Sequence, residues 1–90
     1  MFHIYLLEYA DDGSWYIGYS ANLKQRIARH QKGDGARTKN WELIYYEAYK
    51  NEHDVKGRER FLKIGSGRTF LKKQLFHYLK SKSGQLSPLN

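Results

Sequence analysis

Cysteine is absent from this 90-residue chain, and proline occurs once. Without cysteine there is no disulfide framework, no thiolate zinc site and no thiol nucleophile. Long apolar runs are missing as well. The N-terminal Met1-Phe2-His3-Ile4-Tyr5-Leu6-Leu7 meets Glu8 early, too soon for a signal peptide or a membrane span. No internal repeat or low-complexity segment is present. The length holds one domain, which excludes multidomain enzymes and repeat solenoids.

Acidic residues are scarce in one region only. Residues 1–55 hold seven Lys/Arg against eight Asp/Glu, whereas residues 56–82 hold nine Lys/Arg against the single acid Glu59. The net charge of +7 therefore belongs to the C-terminal third. Such a patch attracts phosphate backbones by releasing counterions, without reading sequence. A solvated helix face is its ordinary alternative. A membrane surface is disfavoured because no Trp/Phe-rich face opposes the basic one. Aromatic residues are plentiful, with eight Tyr, two Trp and four Phe; a tyrosine joins an apolar body to a polar tip that wants a partner.

Residues 2–9 and 14–19 are dense in strand formers around the turn Asp11-Asp12-Gly13, which predicts a hairpin. Gly18 in the second strand suggests a bulge or a close backbone approach. A helix follows from Asn22 or Ser20 as cap to about Gln31, with Leu23, Ile27 and Ala28 as its stripe. Trp41–Tyr49 predicts a third strand. Asn51 caps a second helix bearing Val55, Phe61 and Leu62. Gly65-Ser66-Gly67 reads as a break, and Leu71, Leu75, Tyr78 and Leu79 form the stripe of a last helix. The fold class is α+β: a small, three-stranded, mainly antiparallel sheet flanked by helices in the order β-β-α-β-α-α. Residues 1–80 are expected to form a single domain and 81–90 a polar tail.

Three features exceed what packing alone requires. Tyr5 and Tyr16 lie on paired strands, as a core aromatic pair or as members of one site. Arg26 and His30, four apart, share one helix face, either as a solvated basic face or as a phosphate-binding arginine with a proton-carrying histidine. Glu59 sits between Val55 and Leu62 on the apolar stripe of a basic helix, so its carboxylate needs a cationic partner. That partner is a structural Lys or Arg, or a Mg²⁺ ion completed by water and substrate phosphate. The helix opening at Gly65-Ser66-Gly67-Arg68 lacks the phosphate-loop spacing, and the four histidines show no zinc spacing.

These residues resemble the GIY-YIG nuclease superfamily, and within it the small stand-alone bacterial members akin to the excinuclease-type nuclease domain. The two tyrosine motifs read His3-Ile4-Tyr5 and Tyr16-Ile17-Gly18. The helical arginine is matched by Arg26, the residue one turn on by His30, and the metal-binding glutamate by Glu59. The likeness runs from about residue 2 to residue 76. Two departures stand out: His3 replaces the first glycine, and Tyr19 stands where excinuclease-type members have lysine. Tyr45, Tyr46 and Tyr49 lie outside the motifs.

The resemblance implies a divalent-metal-dependent endonuclease that hydrolyses phosphodiester bonds in DNA with low sequence specificity, in repair or processing. Glu59 would hold Mg²⁺ or Mn²⁺, Arg26 would stabilise phosphoryl charge, and Tyr5 or Tyr16 would take a proton from water with His30 as relay. Lys24, Arg37, Lys39, Arg68, Lys72 and Lys73 are the expected nucleic-acid contacts. The expected partner is DNA, with RNA also open. No membrane is expected, the oligomeric state is a monomer or weak homodimer, and the location is cytoplasmic. The alternatives are a catalytically weak nucleic-acid-binding module on the same fold and a helper domain docking on an acidic protein.

Overall fold

The computed structural model of the chain describes residues 1–31 and 40–86, with side chains for residues 1–29 and 40–82. Three strands, β1 (Phe2–Tyr9), β2 (Trp15–Ser20) and β3 (Trp41–Tyr49), form one sheet. Four helices accompany it: α1 (Leu23–Gln31), α2 (Glu52–Lys63), α3 (Gly65–Gln74) and α4 (Phe76–Leu86). The sheet order is β2-β1-β3, and both pairings are antiparallel. The first six elements follow the order expected from the sequence, and a seventh is added.

β1 is the central strand, and Ile4, Tyr5, Leu6 and Leu7 are each 1% exposed. A strand covered on both faces reads as a continuous apolar run rather than an alternation, which is how Ile4–Leu7 reads. Glu8 is also buried, and the Trp15 indole Nε1 donates to its carboxylate at 2.9 Å. Between β1 and β3 the register shifts at Leu6/Leu7: Leu6 faces Tyr45 and Leu7 faces Leu43, so Ile44 is the extra residue of a bulge. Between β1 and β2 the register is unbroken through Tyr5↔Gly18. Of the two roles anticipated for Gly18, the structure therefore takes the close approach.

The helix caps follow local chemistry. The Gln25 backbone N–H donates to the Asn22 side chain at 3.1 Å, and the Asn22 N–H donates to the Ser20 hydroxyl at 2.9 Å. Both candidate cap residues thus act at the start of α1. Asn51 caps α2 by accepting from the His53 N–H at 2.8 Å.

Residues 1–60 and 61–90 form two compact units. In the second, Leu62 and Leu71 are buried and the Phe61 and Phe70 rings lie 6.2 Å apart. Here one expectation is corrected. Gly65-Ser66-Gly67 does not break the chain but forms the first turn of α3, and the non-helical residue is Ile64 (φ −95°, ψ 170°). Gly67 is buried so close to the preceding turn that a β-carbon would lie 2.7 Å from the Phe61 carbonyl carbon. Glycine there serves a close approach, and that need outweighs its poor helix propensity. The expected last helix is divided at Leu75 (φ −102°, ψ 25°), and α4 continues to Leu86.

Candidate active site

Tyr5 is the centre of the candidate site. Its side chain shares a face of the sheet with its register partners, Gly18 on β2 and Tyr46 on β3. The ring crosses the backbone of Gly18. A β-carbon at residue 18 would fall on the Tyr5 Cζ and hydroxyl and lie 2.8 Å from Cε2. Glycine is therefore the residue that lets the phenol reach over β2, which explains the final position of the Tyr16-Ile17-Gly18 motif. Two residues along β2, Tyr16 points to the same face, with its ring centroid 6.2 Å from that of Tyr5. The two tyrosines differ in environment: Tyr5 is 1% exposed and Tyr16 is 42% exposed. The pair spans the boundary between core and solvent, with Trp41 packed edge-on to Tyr16 at 5.7 Å.

The electrostatic surroundings of Tyr5 report which groups converge on it. Its pKa is pushed up to about 12, first by burial, then by the neighbouring Tyr16, to which its hydroxyl is hydrogen-bonded, and by the Glu59 carboxylate. The Arg26 guanidinium acts in the opposite direction. Three expected catalytic residues, Tyr16 on β2, Arg26 on α1 and Glu59 on α2, thus act on the phenol of a fourth, Tyr5 on β1. Arg26 is half-buried, one turn along from the Asn22 cap. Glu59 is likewise half-buried, between the fully buried Val55 and Leu62. The side chain of the fifth, His30, lies outside the described residues, as do Arg37 and Lys39.

Glu59 also acts on Tyr19. The Tyr19 hydroxyl donates to Glu52 at 2.7 Å, and this bond, followed by burial and the charges of Glu52 and Glu59, raises its pKa. The Lys56 ammonium lies 5.7 Å from the Tyr19 ring centroid and 3.8 Å from the Glu52 carboxylate. Tyr19 thus carries an α2 lysine over its ring.

A second polar cluster lies outside the residues that the sequence singles out. Glu47 on β3 accepts from the Tyr45 and Tyr49 hydroxyls at 2.5 and 2.6 Å and from Arg58 Nε and Nη2 at 2.9 and 3.0 Å. Burial alone would raise the Glu47 pKa, but the bonds from Arg58, Tyr45 and Tyr49 outweigh it and lower it. The signal in the sequence is Tyr45-x-Glu47-x-Tyr49, three residues on one strand face. Tyr46, between them, faces the other way and joins the Tyr5 side of the sheet.

No three His, Cys, Asp or Glu side chains cluster as a metal cage among the described residues. A single carboxylate suits Mg²⁺ or Mn²⁺, whose other positions go to water and substrate oxygens. Glu59 would supply such a carboxylate oxygen, and its charge reaches the Tyr5 phenol. Of the expected nucleic-acid contacts, Lys24 is exposed on α1, and Arg68, Lys72 and Lys73 are exposed on α3. No helix among the described residues is long and apolar enough to cross a membrane.

The model of the GIY-YIG catalytic domain matches residues 1–73. The chain belongs to the GIY-YIG family. Among curated relatives, a UPF0213 protein of Pediococcus acidilactici is 40% identical over 86 residues, covering 89% of this chain and 82% of that protein. A UPF0213 protein of Clostridium perfringens is 33% identical over 67 residues, covering 70% and 71%. The solution NMR structure of a UPF0213 protein from Bacillus halodurans is similar with a TM-score of 0.52 and 31% identity, covering 87% of this chain and 85% of that one. The α+β sheet-and-helix architecture is thus the GIY-YIG fold, in a family whose nuclease members act on nucleic acid.

Proposed function

We propose that this GIY-YIG chain is a divalent-metal-dependent endonuclease that hydrolyses phosphodiester bonds in DNA with low sequence specificity, in repair or processing. The observation that carries the reading is the packing of the Tyr16 ring 6.2 Å from that of Tyr5, at a phenol that the charges of Arg26 and Glu59 reach. In this reading Glu59 holds Mg²⁺ or Mn²⁺. A divalent cation bound there supplies positive charge to the scissile phosphate and to the adjoining hydroxyls.

Arg26 donates to the phosphoryl oxygens as charge gathers on them, an effect commonly worth ~3–4 kcal/mol for a preorganised donor. Tyr5 or Tyr16 takes the proton of the attacking water as the new P–O bond forms and the old one breaks. Tyr5 needs cationic company for this, because burial makes its proton hard to remove, and Arg26 already acts in that sense. Tyr16 is the solvent-facing member and reaches water directly. His30 serves as relay. Lys24, Arg37, Lys39, Arg68, Lys72 and Lys73 hold the backbone without reading bases.

The test is nicking of supercoiled plasmid by wild type and Glu59→Gln, each in Mg²⁺ and in EDTA, with circular dichroism as the folding control. The reading requires nicking by wild type in Mg²⁺ alone and none by a folded Glu59→Gln protein. DNA binding without nicking by wild type would favour a catalytically weak nucleic-acid-binding module.

A further inference from the structure

An open cavity of about 450 Å³ lies between α1 and β3, lined by Leu23, Lys24, Ile27, Ala28, Leu43 and Tyr46. Its lining is mostly apolar, with one aromatic ring and one ammonium. Tyr46 is 55% exposed although it sits mid-strand beside the buried Tyr5. The aromatic ring therefore faces solvent beside apolar walls. Tyr46 is also the register partner of Tyr5 on the same face, so in the two strands their β-carbons are about 5 Å apart. The His3 imidazole, two residues before Tyr5 on β1, packs against the Tyr46 ring at 6.1 Å and 55°. Tyr46 thus stands at once in the cavity wall and beside Tyr5 on the sheet.

We propose that this cavity holds one unpaired nucleobase of the substrate, next to the scissile phosphate. The proposal rests on the nuclease reading of Tyr5, Arg26 and Glu59 and deepens it. Four observations favour a base over other occupants. A flat aromatic ligand matches an exposed tyrosine ring with aliphatic walls, as in proteins that hold single strands by stacking. The volume exceeds that of a single base. Lys24 at the wall offers a cation to the phosphate that a base carries with it. Arg26, two residues from Lys24 on α1, acts on Tyr5, so one short helix links the cavity to the chemistry. A base inside an intact duplex is stacked and paired and cannot enter without being extruded, which costs its stacking and pairing. The cavity therefore selects single strands, flaps and gaps.

The experiment measures equilibrium binding of a fluorescein-labelled 20-nucleotide single strand and of the matching duplex, in EDTA so that no cleavage occurs. Wild type, Tyr46→Ala, Tyr46→Phe and Ala28→Trp are compared, with circular dichroism to establish folding. Loss of stacking in Tyr46→Ala should weaken single-strand binding by roughly 10-fold or more. Duplex binding should be unchanged, and Tyr46→Phe, which keeps the ring, should match wild type. Ala28→Trp, which fills the cavity, should lose single-strand affinity in the same way. Equal effects on single strand and duplex, or none on either, would overturn the proposal while leaving the nuclease reading standing. A change of sedimentation coefficient in Ala28→Trp with unaltered single-strand binding would overturn it in favour of a second copy of this chain. No binding of wild type to either probe would overturn the nuclease reading and this inference together.

Discussion

The ring of Tyr5 lies across the backbone of Gly18, where a β-carbon would collide with its Cζ and hydroxyl. Gly18→Ala should therefore overpack the strand pair, at a cost of about 1–3 kcal/mol, and displace the phenol. Urea denaturation and plasmid nicking should both report the loss. Combining Gly18→Ala with Tyr5→Leu should return part of the stability and none of the activity. Additive stability losses in that double variant would mean that the two residues do not compete for the same space.

Tyr5→Phe removes one hydroxyl and keeps the ring in place. In Tyr5→Phe or in Tyr16→Phe, nicking should fall by ~10²–10⁴-fold, the usual size of a lost proton-transfer group, with a stability change of only about 1 kcal/mol. Tyr5→Phe also has a signature in alkali. The pKa values of Tyr5, Tyr45 and Tyr49 are all raised from 10.0 to about 12, in each case chiefly by burial. A folded pKa above the unfolded one means that the native state holds its proton more tightly. The contribution is complete below pH 10 and is lost as pH rises towards 12. Stability should fall across that window, and less steeply in Tyr5→Phe, read as urea midpoints at about pH 8 to 12.

Glu47 and Arg58 predict the opposite pH response. The Glu47 pKa is lowered in the fold, so its contribution is full above the unfolded value of 4.5 and fades as pH falls through the folded one. Arg58→Ala would leave a half-buried carboxylate with only its two tyrosines. The loss should be about 1.5–3 kcal/mol at pH 7 and smaller in acid. Equal losses at pH 7 and at about pH 3 would count against the charge-assisted pair.

Lys72 and Lys73 stand in the last turn of α3, exposed. Reversing both to Glu should weaken binding about equally for all DNA sequences and flatten the plot of log affinity against log salt. An unchanged salt slope would place the DNA path elsewhere.

Much of the fold is legible in the residues because the signals are local. The hairpin turn, the Asn22 and Asn51 caps and the run Trp41–Tyr49 each depend on a few adjacent side chains. The tyrosine motifs are legible as motifs, and strand pairing then brings Tyr5 and Tyr16 together. The Gly65-Ser66-Gly67 turn misleads because propensity describes an isolated helix, whereas Gly67 answers to the carbonyl of Phe61. The Glu47 cluster escapes because Arg58 lies eleven residues away on another element. Tyr46 escapes because the bulge at Ile44, invisible in a list of strand formers, sets which tyrosines of β3 share the face of Tyr5.

The half-buried Leu23 and Ile27 that hold α1 bear on heat as well as on shape. A helix of nine residues is too short to persist in water without its packed face, whereas β1 is paired on both edges. Warming should melt α1 before the sheet and carry Arg26 away from a Tyr5 that has not moved. Activity would then fall at temperatures where the β-sheet is intact, and cooling would restore it, because the part that opened is small and local. Hydrogen exchange would report the same hierarchy, with the amides of α1 exchanging well before those of Ile4 to Leu7.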